Sequence, residues 1–198
     1  MPIDPNRETW KPGMGWEQAV DDMGYIRGLA QELGGPERIK RQHSGGRFTV
    51  RERIDKMVDP GSFMEAGPLV GAVEYDEDGN LTEFTPGAYI MGLAEIDGRP
   101  VAIGGDDFTI SGGSPHNVHK NSRQFTQPMA IQYGLPYIQL VEGVGHSSKS
   151  DEAAGHMGLP SGEQWWQHME LLRRVPVAAG IMGSVAGAPA AYALMSHF

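Results

Sequence analysis

The 198 residues suffice for one domain with a sizeable core, or for one domain plus an extension. With 25 acidic against 16 basic side chains the net charge is −9, which disfavours a nucleic-acid partner, and the absence of cysteine excludes disulfides, thiolate catalysis and cysteine–zinc sites. The N-terminus lacks the apolar core of a signal peptide and no apolar run is long enough to span a bilayer, so the expectation is a cytoplasmic chain with no membrane partner.

Residues 1–15 carry three prolines and Trp10 among polar residues and are expected to form an arm. From Trp16 to Leu33 the apolar residues Val20, Met23, Ile26, Leu29, Ala30 and Leu33 recur every three or four positions, stopping at Gly34-Gly35-Pro36. This predicts an amphipathic docking helix, and residues 1–35 are set apart from a main domain over 36–198. Next comes a basic cluster, Arg38, Lys40, Arg41, Arg47, Arg51, Arg53 and Lys56. It would either face a phosphorylated ligand or pair with acids of other segments. Within it Thr49 and Glu52 have capping-box spacing, and Asp59-Pro60-Gly61 ends the helix.

From Phe63 the pattern becomes β. Leu69–Tyr75 leads to a turn at Asp78-Gly79, and Tyr89–Ile96 meets Pro100–Ile110 across Asp97-Gly98, the residue pair of a tight hairpin. After Asp97 the chain alternates strand, glycine-rich loop and helix. A helix is expected from about His116 to Gly134, a strand over Leu135–Val141, a helix over Ser161–Arg174 capped by Ser161 and Gln164, a strand over Val175–Met182 and a helix from Gly187 onward. Such α/β alternation places a site where strands hand over to helices, so loops 111–114, 142–150 and 183–188 should converge. In the last of these, Gly183-Ser-Val-Ala-Gly-Ala188 reads as a turn entering a helix. Its backbone N–H groups could hold developing negative charge, or the segment could simply be a small-residue helix packed tightly on a neighbour.

Four segments in order resemble the biotin-dependent acyl-CoA carboxyltransferases, over roughly residues 36–198. They are Arg51-Glu-Arg-Ile-Asp-Lys-Met-Val-Asp-Pro-Gly-Ser-Phe63, Ile96-Asp-Gly-Arg-Pro-Val-Ala102, Asp107-Phe-Thr-Ile-Ser-Gly-Gly113 and Pro176 to Ala188. The resemblance implies a crotonase-like (ClpP-like) spiral of ββα units, incomplete here at the C-terminus. It implies an enzyme that moves a carboxyl group from carboxybiotin to the α-carbon of an acyl-CoA through an enolate held by backbone donors. Biotin would ride on a partner carrier protein, acyl-CoA would be the substrate, and no metal would be needed. Further partners would be the rest of the carboxyltransferase or a second, similar subunit, together with a biotin carboxylase, in a hetero- or homo-oligomer.

Carried over by position, Gly187 and Ala188 become the oxyanion donors, with Gly112, Gly113, Gly143, Val144, Gly145, His146 and Gly183 lining the substrate. Val141-Glu-Gly-Val-Gly-His-Ser-Ser148 departs from the family's Asn-Asp-Ser-Gly-Gly-Ala-Arg: the arginine is missing, and Lys149 is not assigned its role. Two alternatives stay open. One is a hydratase or decarboxylase of the crotonase type, for which Glu142 is the candidate acid or base; the other is a non-catalytic CoA-binding assembly subunit.

Other residues carry less. His116 and His119 have helical spacing for a metal but no third ligand nearby, and Ser147 and Ser148 have no base partner. Neighbouring Asp106 and Asp107 face opposite ways on a strand, which favours capping or turn roles. Trp165 and Trp166 read as core and interface aromatics. Phe198 ends an apolar helical run with no cap, from which another polypeptide over that end is expected.

Overall fold

In the computed structural model the described residues are 1–4, 6–114, 122–145 and 162–198, with only the backbone described at 122–124 and 162–164. His116, His119, His146, Ser147, Ser148, Lys149 and Ser161 lie outside them. The elements are α1 (Trp16–Gln31), α2 (Pro36–Ser44), α3 (Val50–Met57), β1 (Met64–Glu65), β2 (Gly71–Tyr75), β3 (Leu81–Pro86), β4 (Tyr89–Ile96), β5 (Arg99–Asp106), a 3-10 turn (Ser111–Gly113), α4 (Ser122–Tyr133), β6 (Tyr137–Val144), α5 (Gly162–Arg174), β7 (Val177–Ala186) and α6 (Ala188–Leu194).

Five strands form one sheet in the order β1-β4-β5-β6-β7, while β2 and β3 make a separate ribbon. The β4–β5 pair is antiparallel, and β5, β6 and β7 run parallel. That is a hairpin followed by strands returning through helices, the β-β-α unit that the family resemblance implies. The turn residues Asp97 and Gly98 have φ of 51° and 70°, the left-handed pair whose twist matches the flanking strands. Asp59 secures this turn: its carboxylate accepts the N–H groups of Asp97 at 3.0 Å and Gly98 at 2.7 Å.

Alternation along β5 divides the core between the two faces of the sheet. Val101 and Ile103 join Val50, Ile54, Val58, Ile90 and Leu140 under α3. Ala102 joins Ala130, Tyr137, Leu171 and Val177 under α4 and α5. The arm and α1 form a third cluster, in which Ile3 and Ala30 cover the fully buried Phe84 of β3. The amphipathic reading of α1 thus holds on its inner face, while Trp16, Val20 and Met23 remain exposed.

The structure differs from the sequence reading in three places. Residues 36–44, read only as a basic stretch, form α2, entered through Gly35 at φ 88° with Pro36 in its first turn, where proline needs no N–H partner. The final strand runs on through Gly183–Ala186 instead of turning there. Parallel pairing with β6 continues as Gly143↔Val185 and Val144↔Ala186 after a register shift, and that pairing outweighs the local preference of glycine and alanine for a turn. The last helix stops at Leu194, where the Met195 N–H bonds to the Ala191 carbonyl. The chain then folds back, with the N–H of His197 donating to Val177 O at 2.9 Å and that of Ala179 to Phe198 O at 2.9 Å.

Candidate active site

The three glycine loops do converge. A Cβ on Gly113 would stand 2.6 Å from the carbonyl oxygen of Glu142 and 3.0 Å from the Cα of Gly143, so the 3-10 turn after β5 lies directly on the end of β6. A Cβ on Gly145 would stand 2.7 Å from the nitrogen of Ala188, and one on Gly187 would stand 3.2 Å from the Cα of Gly145. Only residues without side chains permit backbones to approach so closely. Gly112 completes the contact, with Val144 Cγ2 3.8 Å from its Cβ position.

At the corner itself Gly187 has φ 69° and ψ −139°, a combination confined to glycine, and Ala188 is the first residue of α6. Alanine therefore occupies an ordinary helical position while glycine makes the bend. Gly187 is exposed and Ala188 half-buried, so the corner is reachable from solvent. Any substitution at position 187 would rebuild the corner rather than delete one donor. Gly183 is not brought to it; the residue lies back along β7, and the Glu142 carboxylate occupies the space a side chain would need.

Glu142 is fully buried, and three partners hold its carboxylate. Oε1 accepts from Arg47 Nη1 at 2.9 Å; Oε2 accepts from Gln42 Nε2 at 2.9 Å and pairs with Arg53 Nη2 at 2.5 Å. A carboxylate so engaged is a structural anchor, and the acid–base role considered for it has no support in its surroundings. No sequence signal within its own loop marks this arrangement, since the partners lie about a hundred residues earlier.

The adjacent carboxylates divide as the strand pattern requires. Asp106 Oδ2 accepts the N–H of Glu142 at 3.2 Å. Asp107 Oδ1 accepts the N–H of Thr109 at 2.9 Å and its hydroxyl at 2.7 Å, shaping the turn that leads to Gly112. Burial pushes the Asp107 carboxyl up from its ordinary range, against the opposing effects of Thr109 and the Arg51 charge.

Of the seven clustered cations, five engage their own chain. Arg47 and Arg53 hold Glu142, Arg51 takes both oxygens of Glu65 at 2.8 and 2.9 Å, Arg38 reaches Thr109 O at 3.5 Å, and Lys56 lies 4.6 Å from the centre of the Phe48 ring. Internal pairing, the plainer of the two readings of this cluster, accounts for most of it. The predicted capping box is present, with Thr49 and Glu52 exchanging hydrogen bonds. Trp165 stacks on Tyr192 of α6 at 4.9 Å, and Trp166 is exposed.

Comparison with known proteins decides the family, because the carboxyl transferase domain matches residues 41–198. The chain belongs to the carboxyl transferase domain family. It is 32% identical over 174 residues to the carboxyltransferase subunit of propionyl-CoA carboxylase from Haloferax mediterranei, covering 88% of this chain and 33% of that protein. It is 28% identical over 173 residues to the 12S subunit of methylmalonyl-CoA carboxyltransferase from Propionibacterium freudenreichii subsp. shermanii, covering 86% and 32%. The chain thus spans about a third of the length of these curated relatives. The crystal structure of transcarboxylase 12S with methylmalonyl-coenzyme A bound superposes with a TM-score of 0.70 at 24% identity, over 96% of this chain and 36% of that one, in agreement with the crotonase-like fold. Among the described residues of this carboxyl transferase domain, no helix is long and apolar enough to cross a membrane and no group of three metal-ligating side chains occurs.

Proposed function

We propose that the chain forms part of the acyl-CoA half of a biotin-dependent carboxyltransferase, with Gly187 and Ala188 as the oxyanion donors. The observation that carries this reading is the packing of the 142–145 loop against the exposed Gly187–Ala188 corner on one side and the 111–113 turn on the other, inside a carboxyl transferase domain. Deprotonation beside a thioester puts negative charge on its oxygen, and fixed N–H donors about 2.7–3.1 Å from that oxygen stabilise the enolate without reorganising. Gly112, Gly113, Gly143, Val144 and Gly145 would line the acyl end of the CoA ester. Gly183 would contribute by making room for Glu142 instead of touching substrate.

Carboxybiotin, delivered on a partner carrier, would supply the carboxyl group. The described residues fit the thioester end of such a reaction in one respect: they offer an open backbone corner suited to an anionic oxygen. Working partners would be a biotin carboxylase and further carboxyltransferase polypeptide, in an oligomer located in the cytoplasm. The outward face of α1, where Trp16, Val20 and Met23 are exposed, would be the assembly surface for that polypeptide.

The test is carboxyl transfer that requires both biotin and an acyl-CoA, measured with the chain alone and with the polypeptides that copurify with it. Activity only in the copurified assembly supports a shared enzyme. Binding of propionyl-CoA with no turnover in any combination supports an assembly subunit instead. A second reading follows from 29% identity over 158 residues to the alpha subunit of methylmalonyl-CoA decarboxylase from Veillonella parvula, which covers 78% of this chain and 30% of that protein. It is separated by following labelled carboxyl in both directions, into and out of the CoA ester.

A further inference from the structure

We infer that Glu142 is a positioning residue of this site, and that its buried contacts with Arg47, Arg53 and Gln42 determine where the backbone of the 142–145 loop points. The inference rests on the reading of the glycine corner as a thioester site. Four separate constraints meet at this residue. Its carboxylate is held by Gln42 of α2, Arg53 of α3 and Arg47 of the segment joining them. Its N–H is fixed by Asp106 at the end of β5. Its carbonyl oxygen abuts Gly113, and its side chain fills the space beside Gly183.

The strands adjoining the site are thereby tied to helices on one face of the sheet through a single side chain. A rotation of the Glu142 peptide would disturb the packing of Gly143 on Gly113, and the close approach of Gly145 to Ala188 leaves little room for the loop to compensate. Charge pairing behind the loops is therefore coupled to backbone direction in front of them. Arg47 extends the coupling, since its guanidinium also lies 5.1 Å from the centre of the Phe108 ring, and a ring carbon of Phe108 lies 3.9 Å from the Cβ position of Gly112. The glycine at 183 then has a physical reason that its sequence context does not reveal: a methyl group there would displace the carboxylate.

The experiment compares Glu142→Gln, Gly183→Ala and the double variant, in the full chain with any copurifying polypeptides. Glu142→Gln keeps the shape and leaves two guanidinium groups without their counter-charge; Gly183→Ala disturbs the carboxylate without touching an arginine. Amide hydrogen exchange is the first readout and needs no ligand. Both single variants are expected to speed exchange about tenfold or more over 140–145 and 183–188, leaving the β4–β5 amides unchanged, with the double variant well short of the product of the two effects. The second readout is affinity, where propionyl-CoA should weaken about tenfold while free CoA binds as before.

Unchanged exchange in both loops would overturn the inference, as would a uniform rise across the sheet with the ratio of the two affinities preserved, which is the mark of a purely structural residue. Should Glu142→Gln fail to fold, Arg47→Gln serves in its place, because Arg47 is one-third exposed and leaves Arg53 and Gln42 on the carboxylate. It should give the same local pattern at smaller size, and unaltered exchange in it counts equally against the proposal. A wild-type chain that binds no acyl-CoA would sink the thioester reading, while the exchange data would still decide whether Glu142 sets the loop.

Discussion

A Cβ atom on Gly145 would stand 2.7 Å from the backbone nitrogen of Ala188 and 3.1 Å from the carbonyl oxygen of Ala186. Both neighbours are main chain and neither can rotate away, so the loop after β6 and the corner before α6 can keep their positions only with glycine at 145. Gly145→Ala is expected to move the two backbones apart by a large fraction of an ångström. Misplacement of reacting groups on the order of 1 Å costs roughly 100-fold in rate, so carboxyl transfer should fall by about that factor. Ile181→Ala is the control: Ile181 is 63% exposed and is assigned no part of the site, so trimming it should leave transfer nearly unchanged. Equal losses in the two variants would show that the close approach does not matter.

Arg53 bears on stability as well as on loop placement. It is 8% exposed and pairs with a carboxylate that is fully buried. Replacing one member of such a pair strands the other charge in low dielectric, which typically costs about 3–5 kcal/mol. Arg53→Met should fall toward the lower end, about 3 kcal/mol, because Arg47 and Gln42 still hold Glu142. Urea unfolding at neutral pH measures it, and a loss under about 1 kcal/mol would mean that the two remaining partners suffice.

Features fixed by neighbours in sequence were legible. The Asp97-Gly98 hairpin, the Thr49–Glu52 capping box and the alternation of strands and helices all rest on contacts a few residues apart. Convergence of the three glycine loops could also be read, because parallel strands place their carboxyl ends together. The role of Glu142 could not be. Its three partners lie between 89 and 100 positions away, and nothing in Val141-Glu-Gly-Val-Gly145 distinguishes a buried anchor from a free acid. The path of Gly183–Ala186 is hidden for a related reason: local preference favours a turn, but pairing with β6 carries the strand through.

In the sequence Asp59 marks only the end of a helix, and the structure gives it a second task. Its carboxylate accepts two N–H groups of the β4–β5 turn, 38 and 39 residues further on. Asp59→Ala removes both bonds in a solvent-exposed setting. At about 0.5–1.5 kcal/mol for each such bond, partly replaced by water, the expected loss is about 1–2 kcal/mol. Asp59→Asn keeps an accepting oxygen and should lose less. If the alanine variant unfolds at the wild-type urea midpoint, the turn is held by its own backbone preference alone.

Asp107 should give the protein a measurable dependence on pH. Burial raises its carboxyl above the ordinary value of 3.8, and one of its oxygens, Oδ2, is buried without a hydrogen-bond partner among the described residues. A carboxyl with a raised folded pKa binds its proton more tightly in the native state than in the unfolded one. Its contribution to stability is therefore fully present below the ordinary carboxylate pKa and is lost as pH rises through the raised value. Asp107→Asn cannot ionise, yet its side-chain oxygen can still accept the two bonds from Thr109. The difference in unfolding free energy, Asn variant minus wild type, should then climb with pH from about pH 4 and level off once Asp107 is charged. Carboxyl groups that do not interact with Asp107 cancel from the difference. Urea titrations across that range decide the matter. A flat difference curve would mean that Thr109 and the Arg51 charge fully offset burial, and a falling one that they outweigh it.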